Sequence, residues 1–274
     1  MTNLPPAVEA TTSRYLDLID QALPGQVIGL YLTGSIPLGD FQPGESDIDG
    51  VVVVAEPLKD ASMVQPVHAA LPSRPAFDVT YLTLDDLALP PDRDKPVVFT
   101  LDGVFKEAPR GGPVTPVLWS ELARSPVVLR VAPGLVVHDD TQALAAFTRD
   151  NLTSYWAPML DQLDAATAAL PDDEVLDAWV VPWCVLGIPR LHALLATGNI
   201  ISKGAAGRYA VAVFPDWVPL VERCLAHRAG EEQQFTVADA KSAAVFGRTV
   251  IAAAPDAAPG FGAGTGTGTG TGFG

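Results

Sequence analysis

The sequence is short of basic residues: 17 Lys and Arg stand against 32 Asp and Glu, a net charge of −15 with the four histidines neutral. A chain this acidic is repelled by a phosphate backbone, and no basic stripe offsets the repulsion, so nucleic acid is not an expected partner. Cationic small molecules are the better electrostatic match, although many soluble proteins are simply acidic. Cysteine is almost missing. Cys184 and Cys224 sit in apolar or helical surroundings without paired spacing, which excludes a disulfide framework and leaves reduced thiols. His68, His138, His192 and His227 are scattered, which argues against a zinc site. No uninterrupted apolar segment reaches spanning length, so no membrane partner is expected. The first residues, MTNLPPAVEATTS, lack the basic region and apolar run of a secretory signal, and a cytoplasmic monomer is the expectation. A Gly-x-x-x-x-Gly-Lys-Ser/Thr run is also lacking, which excludes a Walker loop.

What is present is apolar material for two cores: 48 % of the 274 residues are hydrophobic, enough for two domains of ordinary size. The most informative stretch runs from Leu30 to Val54. An apolar run ends at Thr33-Gly34-Ser35, a Gly/Pro loop follows, and Ser46-Asp47-Ile48-Asp49 leads into four valines. This reads as strand, turn, strand. Side chains alternate along a strand, so Asp47 and Asp49 share one face while Ile48 points into the core. Two adjacent carboxylates repel unless a cation lies between them, and rigid oxygen ligands suit Mg²⁺, which also takes phosphate oxygens. Gly34 allows close backbone approach to a ligand, and Ser35 can donate to a phosphate oxygen. Phe77 to Leu82 alternates as another strand in which Asp78, Thr80 and Leu82 share a face. A third carboxylate on a neighbouring strand is what two-metal nucleotidyl transfer needs, either as a ligand of the second cation or as the base for the attacking hydroxyl.

Gly34-Ser35, eleven intervening residues and Asp47-Ile48-Asp49 resemble the signature of the polymerase-β-type nucleotidyltransferases, and within them the aminoglycoside adenylyltransferases that modify streptomycin and spectinomycin. The resemblance implies an α+β chain: an N-terminal polymerase-β-like nucleotidyltransferase domain with a mixed sheet over residues 1–140 and an all-α C-terminal domain over 141–255. The Gly/Thr repeat that follows buries too little apolar area to offset its ordering entropy, so residues 256–274 read as a disordered Gly/Thr-rich tail. At the position of Asp78 those enzymes usually carry Glu, assigned as the catalytic base. Leu186 to His192 and Thr197 to Ala206 look like the family's helix and loop that hold the triphosphate, which implies Arg190 and Lys203 as phosphate contacts. Lys203 also opens a helix in a Ser-Lys-Gly turn, where backbone amides and an ammonium converge on an anion. Tyr209 packs either near the nucleotide or in the core.

Elsewhere the periodicity predicts helices over 8–23, 58–71 and 119–124, strands over 97–101, 127–131 and 135–137, and a loop-rich segment over 84–113. Beyond Asp140 it predicts helices over 141–152, 153–170, 173–197, 204–214, 216–228 and 236–254. Asp172, Asp173, Glu174 and Asp177 either line an acceptor side or form a solvated helix start. Trp156 and Trp183 read as core.

The expected activity is ATP-dependent transfer of AMP to a hydroxyl of a small cationic acceptor such as an aminoglycoside, with release of pyrophosphate. Asp47, Asp49 and Asp78 would hold two Mg²⁺, with Asp78 as base. Gly34, Ser35, Ser46, Arg190 and Lys203 would hold the nucleotide. The alternatives are a protein or other hydroxyl acceptor, or nucleotide binding without catalysis.

Overall fold

The computed structural model describes residues 4–108 and 112–256. The Gly/Thr tail expected to be disordered lies outside the described residues apart from its first position, as do residues 109–111 of the loop-rich segment.

Helix α1 (Pro6–Ala22) starts with proline in its first turn, where a missing N–H costs nothing, and buries Val8, Tyr15 and Ile19 on one stripe. Strands β1 (Val27–Leu32) and β2 (Ile48–Val54) follow, then the short helix α2 (Gln65–Ala69), β3 (Phe77–Thr83) and α3 (Leu84–Ala88). A hairpin of β4 (Val97–Leu101) and β5 (Val104–Ala108), helix α4 (Pro116–Arg124) and β6 (Val127–Arg130) complete this half. The six strands form one sheet in the order β5-β4-β3-β2-β1-β6. It is mixed, because β2 and β3 run parallel while the other pairs are antiparallel.

Alternation along the strands covers both faces. Leu30, Leu32, Val52 and Val54 pack with α1, whereas Tyr31, Val51, Val53 and Leu82 pack with Trp119 and Leu122 of α4. Apolar residues on both faces explain the unbroken Val51–Val54 run.

The second half is helical: α5 (Thr141–Asn151), α6 (Ala157–Thr167), α7 (Val180–Thr197), α8 (Lys203–Val213), α9 (Val218–Arg228) and α10 (Val237–Ala252). Its core gathers around α7, whose Val181, Val185, Leu186 and Ile188 meet Leu160, Val221, Phe246 and Val250 from the surrounding helices. By length and composition α7 is apolar enough to cross a membrane, but 67 % of it is buried inside this core, which accounts for its apolarity. It ends at Gly198, whose φ of 76° and N–H bond to the Leu194 carbonyl at 2.8 Å form a left-handed cap.

Several expected elements differ. Residues 135–137 form no strand, because Pro133-Gly134 turns the chain after β6 and no ladder partner remains. The segment expected to be loop-rich carries the expected strand over 97–101 as β4, but also α3, closed by a Thr83/Asp86 capping box, and a second strand, β5, turned back at Asp102-Gly103. The helix expected over 173–197 begins only at Val180. Residues 171–179 instead lie against the start of α10 through a Val175–Thr236 bridge and a Leu176 N–H bond to the Phe235 carbonyl at 2.9 Å. The acids of that segment therefore cap no helix. Between α5 and α6 the helix widens into a π-helical turn over Leu152–Trp156, so the expected break at Thr153 is a change of winding rather than an end.

Candidate active site

At the end of β1 the Thr33 N–H donates to the Asp49 carbonyl at 2.9 Å, which brings the following turn over β2. Gly34 holds a φ of 65°, and a Cβ there would collide with the Asp49 carboxylate, so conformation and space both require glycine. Next to it Ser35 Oγ is buried and has no hydrogen-bond partner, the single such side-chain atom among the described residues. The loop returns through Ser46, whose hydroxyl accepts from the Gln42 N–H at 3.0 Å, and reaches Asp47 one residue before β2 begins. Asp47 is on the approach to the strand, not within it, and pairs with Arg74 at 3.3 Å.

Parallel pairing of β2 with β3 sets Asp49 beside Asp78. Asp78 accepts from the backbone N–H groups of Asp102 and Gly103, both at 2.8 Å, so the hairpin turn fixes its carboxylate. Carboxylate oxygens of Asp47, Asp78 and Asp102 lie within 4.8 Å of one another, an all-oxygen set of the kind a hard divalent cation takes. The trio that closes up is thus not the expected Asp47, Asp49 and Asp78: Asp49 turns toward Gly34 and Glu121. Burial raises the Asp49 pKa to about 7, with the charges of Glu121, Asp78 and Asp47 adding to it and Arg190 opposing. Burial also raises Asp78, against its two backbone hydrogen bonds. Glu121, on α4, is raised by burial while Arg190 and the Gly34 N–H pull it down.

The opposite wall comes from the helical half. Arg190, on α7, donates through Nε to the Ile201 carbonyl at 3.0 Å, and Lys203 is the first residue of α8. Burial lowers the Lys203 pKa, and Arg190 and Arg228 add like-charge repulsion. Two backbone amides of this helix start are already engaged: Gly204 N–H donates to Asp40 at 3.0 Å and Ala205 N–H to Ser202 at 3.1 Å. Asp40 also accepts from Arg228 Nη2 at 2.7 Å, a pair only 12–13 % exposed that ties the signature loop to α8 and α9.

One cavity of about 270 Å³ is bordered by Gly34, Ser35, Ser46, Asp47, Asp49, Arg190 and Lys203 together. Asp78 borders the adjoining cavity of about 640 Å³, shared with Gly34, Asp49, Glu121 and Arg190. Tyr209 borders neither, and its hydroxyl meets His192 Nδ1 at 2.8 Å. Sequence reasoning missed Asp40, Arg228, Glu121 and Asp102. Of these only Asp102-Gly103 carried a local sign, the hairpin-turn dipeptide between two apolar runs.

With the geometry in hand, the likeness to known proteins falls on the same two halves. Residues 13–95 match the nucleotidyltransferase domain model, and residues 147–253 match the model described as aminoglycoside adenylyltransferase, C-terminal domain. No curated protein sequence matches the chain. Among solved structures, the spectinomycin adenyltransferase AAD(9) from Enterococcus faecialis, crystallised with ATP and spectinomycin, superposes with a TM-score of 0.63 at 14 % identity. The match covers 89 % of this chain and 99 % of that one. At that identity it speaks to the fold, a sheet half followed by a helical half. The chain is an aminoglycoside adenylyltransferase-like nucleotidyltransferase.

Proposed function

We propose that the enzyme moves AMP from ATP to a hydroxyl of a small acceptor bound between its two halves. The observation that carries this is the single cavity with carboxylates on the sheet side, Arg190 and Lys203 on the helical side, and the unpartnered Ser35 hydroxyl between them. A triphosphate with its divalent metal has the complementary arrangement of charge.

Arg190, Lys203 and Ser35 hold the β- and γ-phosphates, with Ser46 at the loop edge and the Gly34 turn against the phosphate chain. Asp47 and Asp78 carry the metal ligands that close up in the structure, and Asp49, beside Asp78 on the neighbouring strand, is the third carboxylate at the metal site. Two Mg²⁺ fit this all-carboxylate donor set, and when bound they supply the charge neutralisation that nucleotidyl transfer requires. The acceptor oxygen attacks the α-phosphorus in line, its proton passes to the Asp78 carboxylate, and the bond to the β-phosphate oxygen breaks to release pyrophosphate. The two backbone N–H groups that fix Asp78 hold that carboxylate in place for the transfer.

In this reading residues 1–140 act as the nucleotidyltransferase domain and residues 141–255 close the cleft, in a cytoplasmic monomer. Sedimentation as one species of 28.7 kDa tests the last point. The likeness to aminoglycoside adenylyltransferases supports streptomycin and spectinomycin as acceptors to be tried first. Incubation with α-labelled ATP, Mg²⁺ and a competent hydroxyl acceptor should give labelled product and pyrophosphate, lost in Asp47→Asn. Undiminished transfer in that variant would remove the metal role of Asp47.

A further inference from the structure

Arg190 borders a third cavity, of about 280 Å³, lined mainly by the helical half. Its chemistry differs from the other two. Phe147, Tyr155, Trp156 and Trp183 form its walls with Leu191 and Ile200, Asn151 supplies an amide, and Arg190 and Lys203 stand where it meets the phosphate cavity. No carboxylate borders it.

The aromatic wall is built by specific features of the chain. The helix widens into a π-helical turn at Leu152–Trp156, a distortion that recurs at ligand sites, and Tyr155 and Trp156 of that turn both border the cavity. Opposite, Gly187 leaves room for the indole: a Cβ there would stand 2.8 Å from the Trp156 ring. Ring centroids are 4.6 Å apart for Trp156 and Trp183 and 5.4 Å for Tyr155 and Trp156, so the rings brace one another around the space. No hydrogen bond found among the described residues uses the side-chain amide of Asn151, which is partly buried at the cavity.

Asp172, Asp173, Glu174 and Asp177, the acids that might have met a cationic acceptor, do not border this cavity. Asp172 pairs with Lys241 at 2.7 Å, and backbone bonds such as Val237 N–H to the Glu174 carbonyl at 2.9 Å fasten residues 172–176 to the start of α10. A polycation entering the aromatic cavity would stand beside Arg190 and Lys203 with no carboxylate in the cavity wall. An apolar ring would bury its faces against indole and phenol and lose nothing to desolvation.

We propose that the acceptor is a neutral or anionic molecule with a planar apolar ring system, seated between Tyr155, Trp156 and Trp183, and that polycationic aminoglycosides are poor substrates. This rests on the adenylyl-transfer reading. The hydroxyl projects past Val117 and Arg190, which border both this cavity and the carboxylate cavity, toward Asp49 and Asp78. Asn151 orients the ring through a polar substituent.

The test uses the full chain with Mg²⁺ and α,β-methylene ATP, titrated with 2-naphthalenemethanol and with streptomycin, and then pyrophosphate release from ATP with each. The expectation is that the aromatic alcohol binds more tightly and releases more pyrophosphate. Trp183→Ala and Tyr155→Ala should each weaken its binding about tenfold while the nucleotide affinity shifts less than about twofold. Tyr155 is 44 % exposed, so its variant keeps the result interpretable if Trp183→Ala unfolds. Tighter binding of streptomycin, or naphthalenemethanol binding indifferent to both substitutions, would overturn the proposal. Loss of nucleotide affinity in Trp183→Ala without loss of probe binding would also overturn it, by giving the cavity to the base of ATP. If the probe binds as expected but no acceptor yields pyrophosphate, the transfer reading fails while the cavity's ligand class stands.

Discussion

The two halves of this enzyme bring opposite charges to one cleft, and each half assembles its charges differently. The sheet half collects carboxylates from scattered places: Asp47 and Asp49 around the start of β2, Asp78 on β3, Asp102 at a hairpin turn and Glu121 on α4. The helical half collects Arg190 and Lys203 from α7 and the adjoining start of α8, with Arg228 of α9 on the same cavity and paired with Asp40. Away from the cleft, charges are matched within the protein, as in Arg130 with Asp20 at 2.6 Å or Arg223 with Asp239 at 2.6 Å. At the cleft they are crowded by sign, so that Asp49 is held above its ordinary pKa and Lys203 below its own. Neither half is at its electrostatic optimum without a ligand. A metal-bound triphosphate relieves both, presenting cations to the acids and anions to the bases.

The strongest way to break this balance is on the sheet side. Asp47→Asn or Asp78→Asn should lower kcat/KM for pyrophosphate release about 10³-fold or more, since each removes several kcal/mol of transition-state stabilisation. Asp40→Ala strikes the seam instead. It strands the mostly buried Arg228 guanidinium and the Gly204 N–H, and should cost about 3 kcal/mol of stability, read as a lower denaturant midpoint with an unchanged slope. On the helical side, Arg190→Ala should lower kcat/KM about 10²-fold while leaving Mg²⁺ affinity, measured without nucleotide, close to that of the wild type.

A smaller effect compares the halves by acid. Burial holds His68 in the sheet half down to about 4, with its ring against the Tyr81 hydroxyl at 2.7 Å. The unfolded chain binds that proton near 6.5, so its contribution to stability is complete above that pH and is lost as pH falls toward 4. His192 in the helical half is also lowered by burial, but the Ala253 carbonyl offsets part of the shift. Melting temperatures between pH 7 and pH 5 should therefore fall less steeply in His68→Gln than in the wild type, with a weaker flattening in His192→Gln.

Much of this was visible in the chain itself, and what was not visible has a physical cause. The Gly34-Ser35 turn, the acids flanking Ile48 and the alternation around Asp78 are local patterns, so their placement on adjacent strands followed from period and spacing. Arg190 and Lys203 came through family likeness together with the Ser-Lys-Gly helix start. Asp102 and Glu121 join the site only because β4 pairs with β3 and α4 covers the other face of the sheet, contacts between residues far apart in sequence. Asp40 looked like an ordinary loop residue, and its bond from the Gly204 N–H depends on a helix 164 positions later. The late start of α7 was hidden because Asp172, Asp173 and Glu174 after a proline have helix-start chemistry, yet the pairing with the start of α10 prevails. The π-helical turn likewise leaves no mark in apolar periodicity.

The most direct test of opposed charges awaiting a shared ligand is the affinity for ATP with and without Mg²⁺, measured by calorimetry on the full chain. The account predicts that chelating the metal weakens ATP binding about tenfold or more, because the triphosphate then faces bare carboxylates. Equal affinity in both conditions would contradict it, since the sheet-side acids would then have no part in holding the nucleotide.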